Sequence, residues 1–239
     1  MQFPYKCYPI GDSGLTVEFG DTIDTAINEY VLSLFHYFRK HPLPGVHDVV
    51  PAYSTLSFHY HIYAPGFSNT RGKSCYETLY QKIKRVIDKH IPVKKQVGKN
   101  FQIPVCYDDE FALDMNEVSS IKKLSIKEII RLHTSVFYRV YMNGFLPGFP
   151  YMGKLDSAIG VARKSSPRKK VPAGSVGLAG LQTGIYPLES PGGWQIIGRT
   201  PLKIFDKKRE QPALLQPGDS VQFFSITKDE FENYEGRDT

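Results

Sequence analysis

The chain has 239 residues, a formal net charge of +6, and fractions of apolar (41%) and charged (23%) residues that are ordinary for a globular protein. Its length allows one sizeable hydrophobic core or two modest domains. No run approaches the roughly 18 apolar residues of a membrane-spanning helix, and the first residues lack the apolar stretch of a signal peptide. We therefore expect a cytoplasmic protein without a membrane partner.

Cysteine usage and charge patterning exclude further classes of protein. The three cysteines, Cys7, Cys75 and Cys106, form no C-x-x-C motif, which argues against a disulfide framework and a structural zinc site. Basic clusters lie at 94–99 and 163–170 but have no interleaved aromatic residues. We therefore expect neither a bound metal nor a nucleic-acid partner.

The chain begins with a strand pair and a helix. Residues 4–10 and 14–19 alternate around a Gly-Asp-Ser-Gly turn, which predicts a hairpin. Asp24 is a typical N-cap, and apolar residues at intervals of three and four predict an amphipathic helix over 25–40.

A second strand pair follows at 46–53 and 55–63, and a second amphipathic helix ends before Pro92. His59 and His61 share one face of the second strand and could ligate a metal ion. No third ligand is evident, so we interpret them as part of a polar strand face. The loop after this pair has one residue too many between its glycines for a phosphate loop, and we interpret it as an ordinary loop.

The order ββ-α-ββ-α predicts an α+β domain, ferredoxin-like in arrangement, with two helices over one antiparallel sheet. We place this domain at residues 1–95 and its linker in the lysine-rich segment 94–99. A second domain over 96–239 begins with a strand at 101–107.

Two helices are predicted after the first strand of the second domain. A D-x-x-E pattern at Asp114 predicts a short helix to about residue 121, and an S-x-x-E capping box predicts a helix over 126–135. His133 falls on the inner side of that helix, where it is either a buried histidine or an acid–base or anchoring group.

After Glu230 we expect a fraying polar tail. Runs that favour β structure predict further strands at 137–145, 176–178, 185–186, 194–197 and 221–226.

Glycine and proline crowd residues 144–200, which predicts short strands joined by shaped turns rather than long helices. Aromatic residues lie beside the glycines, and Arg168 and Arg199 lie nearby. Apolar walls, exposed amides and anion-seeking side chains are typical of a binding surface on a β scaffold. The alternative is a β-barrel with elaborate turns and no chemistry, because a fold alone does not establish a function.

The motifs of this segment resemble those of the allophanate hydrolase subunit 1-like family, which includes the B subunit of 5-oxoprolinase and the Kip-type inhibitor of a sporulation histidine kinase. The resemblance covers nearly the whole chain. It departs from the family at 107–114, where Y-D-D-E-F-A-L-D replaces the usual Y-G-G-x-F-G-P-D. The matching motifs are G-F-x-P-G-F-P-Y at 144–151, P-R at 167–168, V-P-A-G-S-V at 171–176, Q-T-G-I-Y-P at 182–187, S-P-G-G-W at 190–194, G-R-T-P at 198–201 and P-G-D at 217–219.

This resemblance implies a cyclophilin-like β-barrel for residues 96–239 and a place in a larger enzyme. In 5-oxoprolinase, the B subunit works with the C subunit, which is a subunit 2-type homologue, and with the metal-dependent A subunit. The complex uses ATP to hydrolyse 5-oxoproline to glutamate. The chain shows no nucleophile motif and no complete phosphate loop, which fits a subunit that completes a shared site and is inactive alone. Two alternatives remain open: an inhibitor that docks on a sensor histidine kinase through 145–151, and a subunit of an allophanate hydrolase-type amidohydrolase.

Within this interpretation we expect the site on one face of the barrel. Arg168 and Arg199 would bind a carboxylate or a phosphate, because a guanidinium fork matches those groups, or else they form surface ion pairs. Gln182 and Thr183 would hydrogen-bond the amide of the substrate. With His133, the residues Arg168, Arg199 and Gln182 are the catalytic candidates.

The remaining candidates would bind the substrate. The backbone amides of Gly174–Ser175 and Gly192–Gly193 would hold an oxyanion, since glycine allows close approach. Aromatic side chains would form the walls of the pocket, and these are Phe149, Tyr186 and Trp194.

Overall fold

A computed structural model of the chain describes residues 3–67, 72, 74–89 and 98–234. The chain divides into two compact units, residues 1–96 and residues 97–239. The predicted domain boundary at residues 95 and 96 lies outside the described residues, as does most of the loop that resembles a phosphate loop. None of the described helices has the length and apolar character that crossing a membrane requires.

The first unit is a four-stranded antiparallel sheet with two helices. Its elements are β1 (Lys6–Ile10), β2 (Gly14–Glu18), α1 (Thr25–Lys40), β3 (Val46–Pro51), β4 (Thr55–Tyr60), a 3-10 turn (Pro65–Phe67) and α2 (Cys75–Asp88). The strands lie in the order β1-β2-β4-β3, so β1 and β3 are edge strands.

N-terminal caps and apolar stripes explain why α1 and α2 form helices. The Asp24 carboxylate accepts the Ile27 amide at 2.9 Å, and Ser74 and Glu77 form a capping box before α2. Each fully buried Leu, Ile or Phe stabilises the fold by about 1.5–3 kcal/mol. The stripes of α1 and α2 share one core with a sheet face that includes Leu15, Val17, Leu56 and Phe58.

The opposite face of the sheet is polar. Thr16 and Ser57 are cross-strand neighbours whose hydroxyls hydrogen-bond at 2.8 Å. Burial alternates along β4, so His59 lies on the half-buried side, as its spacing predicts. Beside it, the rings of His47 and His61 have centroids 4.3 Å apart and planes tilted by 32°.

The predicted α+β composition of this unit is present, but its ferredoxin-like arrangement is not confirmed. The order along the chain is ββαββα, whereas a ferredoxin-like fold has the order βαββαβ. In this chain each helix follows a pair of strands, whereas in a ferredoxin-like fold each helix lies between two strands.

The second unit contains a closed seven-stranded barrel, which confirms the barrel predicted for the second domain. The elements are β5 (Asn100–Cys106), α3 (Met115–Lys122), α4 (Ile126–Thr134), β6 (Tyr138–Asn143), β7 (Pro150–Gly153), β8 (Arg168–Val171), β9 (Ser175–Ala179), β10 (Gln182–Ile185), β11 (Ser190–Gly192), β12 (Gln195–Arg199), β13 (Ser220–Ile226) and α5 (Lys228–Glu232). The barrel strands lie in the order β10-β7-β6-β13-β5-β12-β9, and β11 and β8 form a separate two-stranded sheet. Strands β13 and β5 run parallel.

Candidate functional site

A cavity of about 260 Å³ lies beside the end of β12. Two predicted site residues, Gly174 and Arg199, line it together with Lys203 and Phe231. Lys203 is paired with Asp206 at 2.8 Å. We call this space the Arg199 cavity.

Gly174 shapes one side of the Arg199 cavity. Its φ is +83°, and a Cβ there would come within 2.4 Å of the Thr200 carbonyl oxygen, so only glycine fits. The Gly174 amide donates to the Tyr186 carbonyl at 2.7 Å, and the Ser175 amide donates to the Pro172 carbonyl at 3.2 Å. The amides of Gly174 and Ser175, one of the two pairs predicted for an oxyanion, are therefore already bonded within the chain.

A carbonyl and an aromatic ring help to hold Arg199 at the cavity. Its Nε donates to the Ala173 carbonyl at 2.8 Å, and its guanidinium carbon lies 5.9 Å from the centre of the Phe231 ring. These contacts orient the guanidinium at the cavity, and its planar fork matches the geometry of a carboxylate or a phosphate.

Phe231 lines the cavity but is not among the predicted site residues. It belongs to α5, which extends into the predicted fraying tail and begins with a capping box formed by Thr227 and Glu230. That T-x-x-E pattern is the signal that identifies the helix. The Phe231 ring also lies 4.4 Å from Phe111, so α5 packs on the 107–114 segment that departs from the family motif.

The predicted aromatic walls pack against one another instead of lining the Arg199 cavity. The Phe149 ring lies 5.1 Å from Tyr186 and 5.3 Å from Trp194, both edge to face, and all three are buried. A Cβ on Gly192 would come within 2.3 Å of the Tyr186 hydroxyl, so this glycine makes room for the ring. The neighbouring Gly193 carbonyl accepts the Lys164 amide at 2.8 Å.

His133 is enclosed in the barrel core. The Thr183 hydroxyl donates to the Gly177 carbonyl at 3.1 Å, so its oxygen accepts the Nε2 proton of His133, also at 3.1 Å. The Tyr107 hydroxyl donates to Nδ1 at 2.8 Å. Burial lowers the pKa of His133 from 6.5 to about 3. The ring is therefore neutral at pH 7 and holds the barrel wall together.

Arg168 forms a forked ion pair with the buried Asp114 carboxylate, with N···O distances of 2.5 and 2.7 Å. Asp114 also accepts the Ile196 amide at 2.7 Å and the Lys164 ammonium at 2.9 Å. Burial alone would raise the pKa of Asp114, but the hydrogen bonds from Arg168, the Ile196 amide and Lys164 lower it below its usual value. The Asp114 side chain does not cap α3, although its D-x-x-E pattern predicts a cap.

The predicted site residues therefore lie in separate places. The Arg199 cavity contains Gly174 and Arg199, and an enclosed network contains His133 and Thr183. Gln182 lies half-buried on β10, opposite Gly153 and Ala179.

Similarity to known proteins extends along nearly the whole chain. The family model of the carboxyltransferase domain, subdomains C and D, matches residues 5–215. The B subunit of 5-oxoprolinase from Bacillus subtilis (strain 168) is 40% identical over 98% of each chain. The B subunit of 5-oxoprolinase from Escherichia coli O157:H7 is 34% identical over 91% of this chain and 94% of its own.

Two solved structures share the fold of this chain. The crystal structure of TTHA0988 is 37% identical with a TM-score of 0.75, and the match covers 89% of this chain but 40% of that longer one. The Kluyveromyces lactis urea carboxylase, at 20% identity, has a TM-score of 0.76 over 95% of this chain and 22% of its own, which indicates a shared fold. The predicted resemblance is confirmed, and the chain belongs to the family of the carboxyltransferase domain, subdomains C and D.

Proposed function

We propose that this chain is the B subunit of an ATP-dependent 5-oxoprolinase, which hydrolyses 5-oxoproline to glutamate together with the A and C subunits. The observation that carries the proposal is the similarity to the B subunits of two bacteria along nearly the full length of each chain. Similarity of this extent means the same domains in the same order rather than one shared module. Because the reaction consumes ATP, we place the complex in the cytoplasm. We also propose that the barrel is of the cyclophilin-like type.

Within the proposal, the Arg199 cavity binds an anionic group of the reactants. 5-Oxoproline carries a carboxylate at neutral pH, and ATP carries phosphates. A guanidinium held by a carbonyl and a ring matches either group. The aromatic cluster and the Asp114–Arg168 pair support the surrounding structure.

Partner subunits supply the remaining chemistry of the site. His133 is neutral and enclosed, and Arg168 is bound to Asp114, so neither serves as an acid, a base or an open anion site.

Growth on 5-oxoproline tests the proposal in a cell. We expect this chain, expressed with its own A and C subunits, to let a Bacillus subtilis strain that lacks 5-oxoprolinase use 5-oxoproline as its nitrogen source. The same set without this chain is the control and should not support growth. Equal growth without this chain, or no growth with all three proteins stably expressed, contradicts the proposal.

One observation favours a second candidate, the inhibition of a sensor histidine kinase. The Phe145 ring is 62% exposed on a residue with φ 64°, and it meets Phe149 edge to face at 5.9 Å. Aromatic side chains presented in this way are typical anchors of protein interfaces. Adding the chain to a kinase autophosphorylation assay should lower phosphorylation, and Phe145→Ser should abolish the effect. Unchanged phosphorylation rejects this candidate.

A further inference from the structure

A second cavity, of about 310 Å³, lies in the first unit between α1 and the edge strand β3. Phe38 and Phe58 form its floor; both are buried, and their rings meet edge to face at 4.9 Å. Its walls are partly exposed apolar side chains, among them Phe35, Leu43 and Val49. A preformed apolar cavity of this size is typical of a small-molecule site. We call it the α1–β3 cleft.

Arg39 provides a cation at the rim of this cleft. Its guanidinium carbon lies 5.7 Å from the centre of the Phe35 ring. Within the part of the chain that the structure describes, no carboxylate forms a salt bridge with Arg39. His47 and Asp48 also line the cleft, and the Asp48 carboxylate accepts the backbone amide of Val49 at 2.8 Å, which fixes it against the backbone of β3. The rim therefore presents the Arg39 guanidinium beside an apolar floor, with one carboxylate on the β3 side.

The edge of β3 argues against an added β-strand as the occupant. The Val49 amide is already bonded to Asp48, and Pro51 has no amide proton to donate. Blocked amides of this kind protect a sheet edge from pairing with another strand. A compact molecule that uses the side chains of the cleft fits better than an extended peptide.

We propose that the α1–β3 cleft binds a small carboxylic acid with an apolar body. The carboxylate pairs with Arg39, and the body lies against Phe38 and Phe58. An apolar cavity of ~150 Å³ holds benzene, so this cleft has room for a phenyl ring with a short side chain. The proposal is independent of the Arg199 cavity and of the reaction proposed there.

Binding of 3-phenylpropionate to the full-length chain, measured by titration calorimetry and by amide chemical shifts, tests this assignment. The matched neutral probe is 3-phenylpropionamide, which has the same apolar body. We expect the acid to shift α1 and β3 amides and to bind about tenfold more tightly than the amide, because a hydrogen bond to a charged group is lost with the amide. Equal affinity for the two probes, or shifts confined to other regions, would overturn the proposal.

Two neighbouring cations on α1 provide matched variants. Arg39→Gln should weaken the acid about tenfold and leave the amide unchanged, whereas Lys40→Gln, on a residue outside the cleft, should change neither. Leu43→Trp should fill the cleft and abolish binding of both probes, with thermal unfolding as the check on its fold. An equal effect of the two glutamine variants, or undiminished binding by a folded Leu43→Trp variant, would overturn the proposal.

Discussion

Arg168 and Arg199 both belong to family motifs, but their surroundings give them different roles. Arg168 is locked to a buried carboxylate, whereas Arg199 contacts a carbonyl and a ring at a cavity. The sequence could not separate them, because Asp114 is 54 positions from Arg168 and its own pattern predicts a helix cap. Long-range pairing of charges leaves no local signal.

Arg199→Lys should lower the activity of the assembled complex about tenfold or more, since a charge-assisted hydrogen bond contributes roughly 1.5–3 kcal/mol and lysine lacks the planar fork. The measurement is ATP-dependent glutamate release, with thermal unfolding of the variant beside it. Arg131→Lys, at an exposed ion pair with Glu128, is the matched control and should keep full activity. Full activity of Arg199→Lys with a lowered melting temperature would make Arg199 a purely structural residue.

Arg168→Met should destabilise the chain by about 3 kcal/mol, because it leaves the buried Asp114 carboxylate without its main partner. Lys164 still contacts Asp114, which keeps the loss at the lower end of the usual range. Urea unfolding at pH 7 measures it. The double variant Asp114→Leu/Arg168→Met should recover much of the stability. A single variant as stable as the wild type would show that the pair is unimportant.

His133 should make the chain sensitive to acid. Its pKa is about 3 in the folded chain and 6.5 ordinarily, so between those pH values the unfolded chain binds more protons and stability falls as the pH falls. Its contribution should drop by about 2 kcal/mol between pH 7.5 and pH 5. Urea unfolding at both pH values should show a flatter dependence for His133→Gln than for the wild type or for His59→Gln. The same slope in all three would refute the buried neutral imidazole.

At the scale of elements, the helices followed from the sequence more closely than the strands. The predicted helix over 25–40 is confirmed at its stated bounds, because the Asp24 cap and the apolar repeat are local signals. Strands β7, β8 and β11 were not predicted. They have three or four residues each, rich in Gly, Pro or Lys, so pairing with neighbours rather than intrinsic propensity makes them strands.

Helix α5 should matter for activity because it places Phe231 against Arg199. Phe231→Ala should lower the activity of the complex several-fold and stability by about 1 kcal/mol, since a cation–π contact at a partly exposed site is of that size. Glutamate release and thermal unfolding measure the two effects. Phe224→Ala, which removes an exposed ring from β13, is the control and should retain activity. Equal effects of the two variants would remove the role assigned to α5.

At the scale of the whole molecule, rare residues in a fixed order predicted the family, whereas periodicity predicted only an α+β unit and a barrel. The Gly, Pro and Trp motifs could be read locally, and the family is now confirmed over residues 5–215. The division of the candidate residues among separate places could not be predicted. It depends on how the strands of a closed barrel bring distant positions together.

ATP-dependent conversion of 5-oxoproline to glutamate by purified proteins tests the proposed function directly. We expect the complex of this chain with its A and C subunits to release glutamate. Both the chain alone and the other two proteins without it should release none above background. Glutamate release by the chain alone, or undiminished release by the other two proteins without it, would contradict the account.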